Sequence, residues 1–138
     1  MLVLDTDHLA EIERGSKIGA ALTAKLEATT EDIATTIISA EEQLRGWLAQ
    51  IRRQHDPRQQ IQAYARLQRR FEFFAAWRVL PWTEDAASFY TQLRDRRIRI
   101  GTMDLKIAGI VLAHDATLLS RNLIHFRQVP DLRVEDWL

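Results

Sequence analysis

Residues 1–11 read MLVLDTDHLAE. Met1 to Leu4 form an apolar run without alternation that ends at a carboxylate. An unbroken run of this kind suits a strand buried on both faces, which belongs in a parallel sheet covered by helices. From Thr6 to Arg14 the pattern turns helical before Gly15, and Asp7 is expected to cap or begin that helix. The opening thus points to an α/β fold. It also raises a chemical question, because two carboxylates, Asp5 and Asp7, stand at the first turn after a buried strand.

The same alternation continues along the chain. Ile18 to Ala28 is helical in pattern, and Asp32 to Ser39 is rich in β-branched residues, a second strand with Ser39 as the N-cap of the next helix. Leu44, Trp47, Leu48 and Ile51 fall at helical spacing up to Asp56-Pro57. A further helix over residues 58–77 carries Ile61, Tyr64, Leu67, Phe71 and Phe74, so two successive helices suggest a helical hairpin. Val79 to Trp82 reads as a short strand, and Thr83 caps a helix to about Arg96. Gly101-Thr102 precedes a helix over residues 103–114, residues 117–120 form a fourth strand, and Leu132 to Val134 form an edge strand. Strands separated by helices predict an α/β sandwich with a mainly parallel sheet, in one domain spanning residues 1–138. Neither GxGxxG nor GxxxxGK[ST] occurs, so the glycine-rich phosphate turns of nucleotide-binding folds are absent.

Composition narrows the chemistry. The 138 residues are 46% hydrophobic, enough to bury a core without staples. The absence of cysteine excludes disulfides, a thiolate metal site and a cysteine nucleophile, and suits a reducing, cytoplasmic setting. No apolar run is long enough for a membrane span and no signal-peptide pattern opens the chain. The net charge is zero, but its distribution is uneven. Residues 1–44 hold 3 basic and 9 acidic side chains, net −6, and residues 45–99 hold 12 basic and 5 acidic, net +7. An arginine-rich segment is either a solvated helical face or a track for phosphates, and its separation from the acidic third favours a polyanionic partner.

Ligands of open α/β sheets collect outside the carboxyl ends of the strands. Asp5 follows the first strand, Glu41 and Glu42 the second, and Asn122 the fourth, while Asp104 opens the helix after Thr102. Brought side by side, these carboxylates repel unless a cation or a shared proton compensates them, and all-oxygen donors favour a hard ion such as magnesium (Mg2+) or manganese (Mn2+). Each acid also has a plain structural use. Asp5 and Asp104 suit helix N-termini, and Ser39-Ala-Glu-Glu42 matches a capping box. His8, His55, His114 and His125 show no His-x-x-x-His spacing and read as surface or packing residues. The four tryptophans read as core before they read as base-stacking platforms.

The sequence resembles PIN-domain ribonucleases, in particular the VapC-type toxins of bacterial toxin–antitoxin pairs. Four stretches carry the resemblance: Leu2 to Leu9, Ile38 to Gly46, Ile100 to Ala108, and Leu118 to Phe126 together with Leu132 to Trp137. It implies a PIN-like three-layer sandwich with a mainly parallel sheet flanked by helices. Asp5, Glu42 and Asp104 become the metal-binding and catalytic acids, with Glu41 a rival for the second place because it lies nearer the stripe of Leu44 and Leu48. Many members carry a further acid near Asn122 or His125. This chain has no carboxylate there before Asp131, so Asn122 is the expected further oxygen donor, with His125 as the alternative, either contacting phosphate or packing beside Phe126. The resemblance also implies hydrolysis of RNA to a 5′-phosphate and a 3′-hydroxyl, a homodimer, and a cognate antitoxin whose tail blocks the cleft. Arg66, Arg69 and Arg70 are the expected RNA-binding residues. Two other readings stand beside this one: a catalytically weak module that binds RNA or protein, and a hydrolase of small phosphate esters.

Overall fold

The computed structural model describes all 138 residues. Five strands, β1 (Leu2–Leu4), β2 (Ile33–Thr36), β3 (Val79–Leu80), β4 (Thr117–Leu119) and β5 (Arg133–Glu135), form one sheet in the order β3-β2-β1-β4-β5. Every strand pair is parallel, with Val3 opposite both Ala34 and Leu118. The sheet is therefore wholly parallel, and the order of its strands puts the opening run at the centre.

Strand periodicity splits the core into two layers. On β1, Val3 points to one face, where it meets Ala34, Leu80 and the buried side chains of α5 (Glu84–Asp95) and α6 (Thr102–Ala113). Leu2 and Leu4 point to the other, against Leu9 of α1 (Thr6–Arg14) and Leu22 and Leu26 of α2 (Lys17–Ala28). Helices α6 and α1 pack so tightly on their neighbours that side chains are excluded at two points. A Cβ on Gly109 would stand 2.7 Å from the Ala86 carbonyl oxygen of α5, and one on Gly19 would stand 2.1 Å from that of Glu11.

The second strand ends earlier than its β-branched run suggests. Helix α3 (Ile37–Arg53) begins at Ile37, because the Thr36 hydroxyl, not that of Ser39, caps it by accepting from the Ser39 N–H at 3.0 Å. The expected Ser39–Glu42 capping box is thus corrected, and Glu42 lies in the second turn with its carboxylate free for other use. Helix α4 (Pro57–Ala75) starts one residue before the expected Arg58, with Asp56 as its N-cap, and completes the hairpin, but it buries no residue. Ile61, Tyr64 and Phe71 keep their helical spacing on a face that nothing in the chain covers. One short helix, α7 (Leu123–Phe126), has no counterpart in the sequence pattern.

Candidate active site

Because all strands are parallel, their carboxyl ends share one edge, and β1 lies between β2 and β4 there. Asp5 occupies the centre of that edge as the N-cap of α1, its Oδ1 accepting from the Thr6 N–H at 2.7 Å. Asp5, not Asp7, is the cap. On the β4 side the Ser120 hydroxyl donates to Asp5 Oδ2 at 2.7 Å, and the hydroxyl oxygen accepts from the Asn122 N–H at 3.0 Å. Asn122 then donates its side-chain amide to Asp104 Oδ2 at 3.1 Å and lies 3.0 Å from His125 Nδ1. On the β2 side, Thr6 donates its hydroxyl to Glu42 Oε2 at 2.8 Å.

A single hydrogen-bonded chain therefore runs from Glu42 through Thr6, Asp5, Ser120 and Asn122 to Asp104. It joins all three acids expected at the site, and Asn122, to one another. Glu41 lies elsewhere, exposed and paired with Arg45 one turn on. Glu41 does lie by Leu44 and Leu48, as the helical wheel suggests. That stripe lines an open apolar groove with Ile37 and Trp82, away from the acids.

The electrostatics of the edge are unbalanced. Burial pushes the Asp5 carboxyl from 3.8 up to about 6, and the charges of Asp7 and Glu42 add to this against the hydrogen bonds from Ser120 and Thr6. Burial acts on Asp7 as well, but bonds from the His8 ring and the Arg121 N–H outweigh it and hold that carboxyl below its usual range. The buried His8 is held between Asp7, at 2.7 Å from its Nδ1, and the Trp137 N–H, which donates to its Nε2 at 3.2 Å. Thr6, Ser120 and His8 are neighbours of the expected acids that motif spacing does not single out. Only their fixed offsets from the strand ends could have signalled them.

The donors fit a hard divalent cation by type: carboxylate oxygens with a neutral amide, one acid desolvated beside like charges, and no sulfur. As the chain stands, no three Asp, Glu or His side chains converge on a common point. Glu42 is turned to Thr6 and Asp104 to Asn122, and these are the two bonds an ion would compete with.

Arg66, Arg69 and Arg70 of α4 lie apart from the acids. Arg70 is folded onto Glu13 of α1, with its guanidinium 4.8 Å from the centre of the Trp47 ring, whereas Arg66 and Arg69 are exposed.

Comparison with known proteins converges on one family. Residues 2–132 match the PIN domain. Ribonuclease VapC2 of Rickettsia felis is 29% identical over 69 residues, which span 47% of the chain and 52% of that protein, so the chain covers about half the length of this curated relative. Among solved structures, VapBC2 from Rickettsia felis bound to a promoter DNA fragment superposes with a TM-score of 0.72 at 22% identity, covering 99% of the chain and 98% of its counterpart. FitAcB from Neisseria gonorrhoeae gives 0.72 at 24%, again over 99% and 98%. DNA-bound VapBC from Salmonella typhimurium gives 0.69 at 21% over 99% and 98%. These structures share the fold.

Proposed function

Because the chain belongs to the PIN-domain family, we propose that it is a metal-dependent endoribonuclease and the toxin of a toxin–antitoxin pair. Asp5, Glu42 and Asp104 would hold magnesium or manganese, with Asn122 as a further oxygen donor. An ion held by these residues would supply Lewis acidity to activate water and offset charge on the phosphate. Water attacks phosphorus in line, the P–O3′ bond breaks, the water oxygen remains on the 5′-phosphate, and the 3′ oxygen takes a proton.

What supports this reading most is the hydrogen-bonded chain linking Glu42, Asp5 and Asp104 across three strand ends. It holds each carboxylate in position and leaves Asp5 short of positive charge. Thr6 and Ser120 orient the two oxygens of Asp5, and Asn122 orients Asp104. The uncovered apolar face of α4 and the groove lined by Ile37, Leu48 and Trp82 are the surfaces on which a second copy or an antitoxin would settle.

The test uses purified protein, total cellular RNA, and magnesium, manganese or EDTA, with fragment ends mapped. Asp5→Asn and Asp104→Asn are expected to lose at least about a hundredfold in cutting, beyond what loss of an outer-shell partner costs. Intact RNA under every condition, from folded protein, would sink the proposal. It would leave the binding module as the reading, which the lack of a fourth acid favours.

A further inference from the structure

One flank of the seam between α3 and α4 is polar, beside an interface that buries Ile51 and half-buries Ala63 and Leu67. On α3 this flank carries Trp47, Gln50 and Gln54, at intervals of three and four residues. On α4 it carries Arg58, Gln62, Arg66 and Arg69. A cavity of about 480 Å³ lies between them, lined by Gln50, Gln54, Arg58, Gln62 and Arg66 among others. Arg66 also borders a second cavity of about 470 Å³ with Trp47 and Arg69, so the two form one trough.

The trough has a direction. Beyond the cavities, one helical turn before Trp47, the Gln43 amide reaches the Thr6 carbonyl oxygen at 3.4 Å, and Gln43 Oε1 is buried without a partner. Thr6 is the residue that holds Glu42. From Trp47 to Gln54 the helix rises about 10 Å, so the cavities run along α3 from one turn beyond Gln43 to the tip of the hairpin.

Its charge is only partly compensated. From Arg45 to Ala75 the hairpin holds seven arginines against two acids, Asp56 and Glu72, and Glu72 and Glu13 of α1 border the second cavity. Arg45 pairs with Glu41 and Arg70 with Glu13, whereas Arg58, Arg66 and Arg69 make no ion pair. Unpaired guanidinium groups suit phosphates, and glutamine amides offer both donor and acceptor to exposed base edges. Ala63 is the one apolar residue of the outer cavity, which disfavours an amphipathic protein helix. Two packed helices stand about 8–10 Å apart, too close for a duplex to enter between them.

We propose that the α3–α4 seam is a track for single-stranded RNA, with Arg58, Arg66 and Arg69 on phosphates and Gln50, Gln54 and Gln62 on base edges, leading the strand to Asp5. The inference rests on the nuclease reading for its substrate, and it replaces Arg70 with Arg58 among the contacts expected from sequence.

The experiment measures binding of a labelled 12-nucleotide single-stranded RNA to the full chain in EDTA across a series of salt concentrations. Arg58→Glu with Arg66→Glu is compared with Arg96→Glu and Arg99→Glu, an exposed pair beyond α5 with the same charge change. The hairpin pair is expected to weaken binding more than tenfold. It should also flatten the plot of log affinity against log salt by about 1.4, at roughly 0.7 per phosphate contact for a single strand. The control pair is expected to change affinity less than threefold. Equal losses in the two pairs, no loss in either, or no binding by the wild type would overturn the track. Cutting of the same RNA in manganese is scored separately. Wild-type cutting with unaltered hairpin binding discards the track and keeps the nuclease, whereas selective loss of binding without cutting keeps the track and discards the nuclease.

Discussion

The edge of the sheet and the helical hairpin are built from opposite materials. At the edge, Asp5, Thr35, Thr36, Ser39 and Ser120 are all buried, and each is bonded to a neighbour fixed by a strand end or a helix cap. In the hairpin, α4 buries nothing and Ile51 is the only buried side chain of α3 beyond its first turn. The contrast reflects a constraint on charge. A carboxylate can be desolvated only where rigid elements hold its partners, so chemistry that needs a perturbed acid collects at the sheet. Arginines without a fixed partner gain nothing from burial and stay in water.

The comparison breaks if the hairpin proves to be part of the core. Leu9 is fully buried between α1, α2 and the sheet, so Leu9→Ala is expected to cost about 2–5 kcal/mol. Ile61, on α4 and two-thirds exposed, should change stability by no more than about 0.5 kcal/mol when replaced by alanine. Urea denaturation of both variants decides the matter. Comparable losses would mean that α4 is covered in solution.

The acidic edge makes a pH-dependent prediction of similar size. A carboxyl whose pKa is higher folded than unfolded withdraws stability as pH rises, because the folded state holds its proton longer. Asp5 stands at about 6 folded against 3.8, so in the metal-free protein its own contribution should fall by about 2 kcal/mol between pH 4 and pH 7, at roughly 1.4 kcal/mol per unit of pKa difference. Asp5→Asn keeps an N-cap and an acceptor for Ser120 but cannot ionise. It should therefore be more stable than the wild type at pH 7 in EDTA and indistinguishable from it at pH 4, as read by thermal melting. Identical pH profiles would show that Asp5 is not strained by its surroundings.

Legibility in the sequence follows the same divide. The opening strand, the Thr83 cap and the helix from Thr102 stand where the pattern puts them, since each is fixed by a local signal that tertiary packing reinforces. The Thr36–Ser39 junction departs from its pattern because Ile37 and Ile38 continue a β-branched run, and propensity yields to the burial of Ile38 against the sheet. In α3 and α4 the apolar period is legible, but the lack of a layer above it is not, because periodicity reports which residues share a face and not whether anything lies on it. At the site, the acids announce themselves by position. Thr6 and Ser120, which join them, are common polar residues whose role depends on strand order.

Glu41 and Glu42 carry the comparison down to adjacent residues, one on the open groove and one on the acidic edge. Glu41→Gln removes a surface pair with Arg45, which should alter stability by less than about 0.5 kcal/mol and leave RNA cutting within about twofold. Glu42→Gln retains an oxygen for the Thr6 hydroxyl, so the fold should hold equally well. It removes a charge that helps to raise Asp5 and one of the three acids proposed to hold the metal, so the Asp5 carboxyl should titrate lower and cutting should fall roughly tenfold or more. Cutting rates and melting curves for the pair separate the alternatives. A larger catalytic loss at Glu41 would move the second acid to the groove side of α3, and the hydrogen-bonded chain through Thr6 would then be a feature of folding alone.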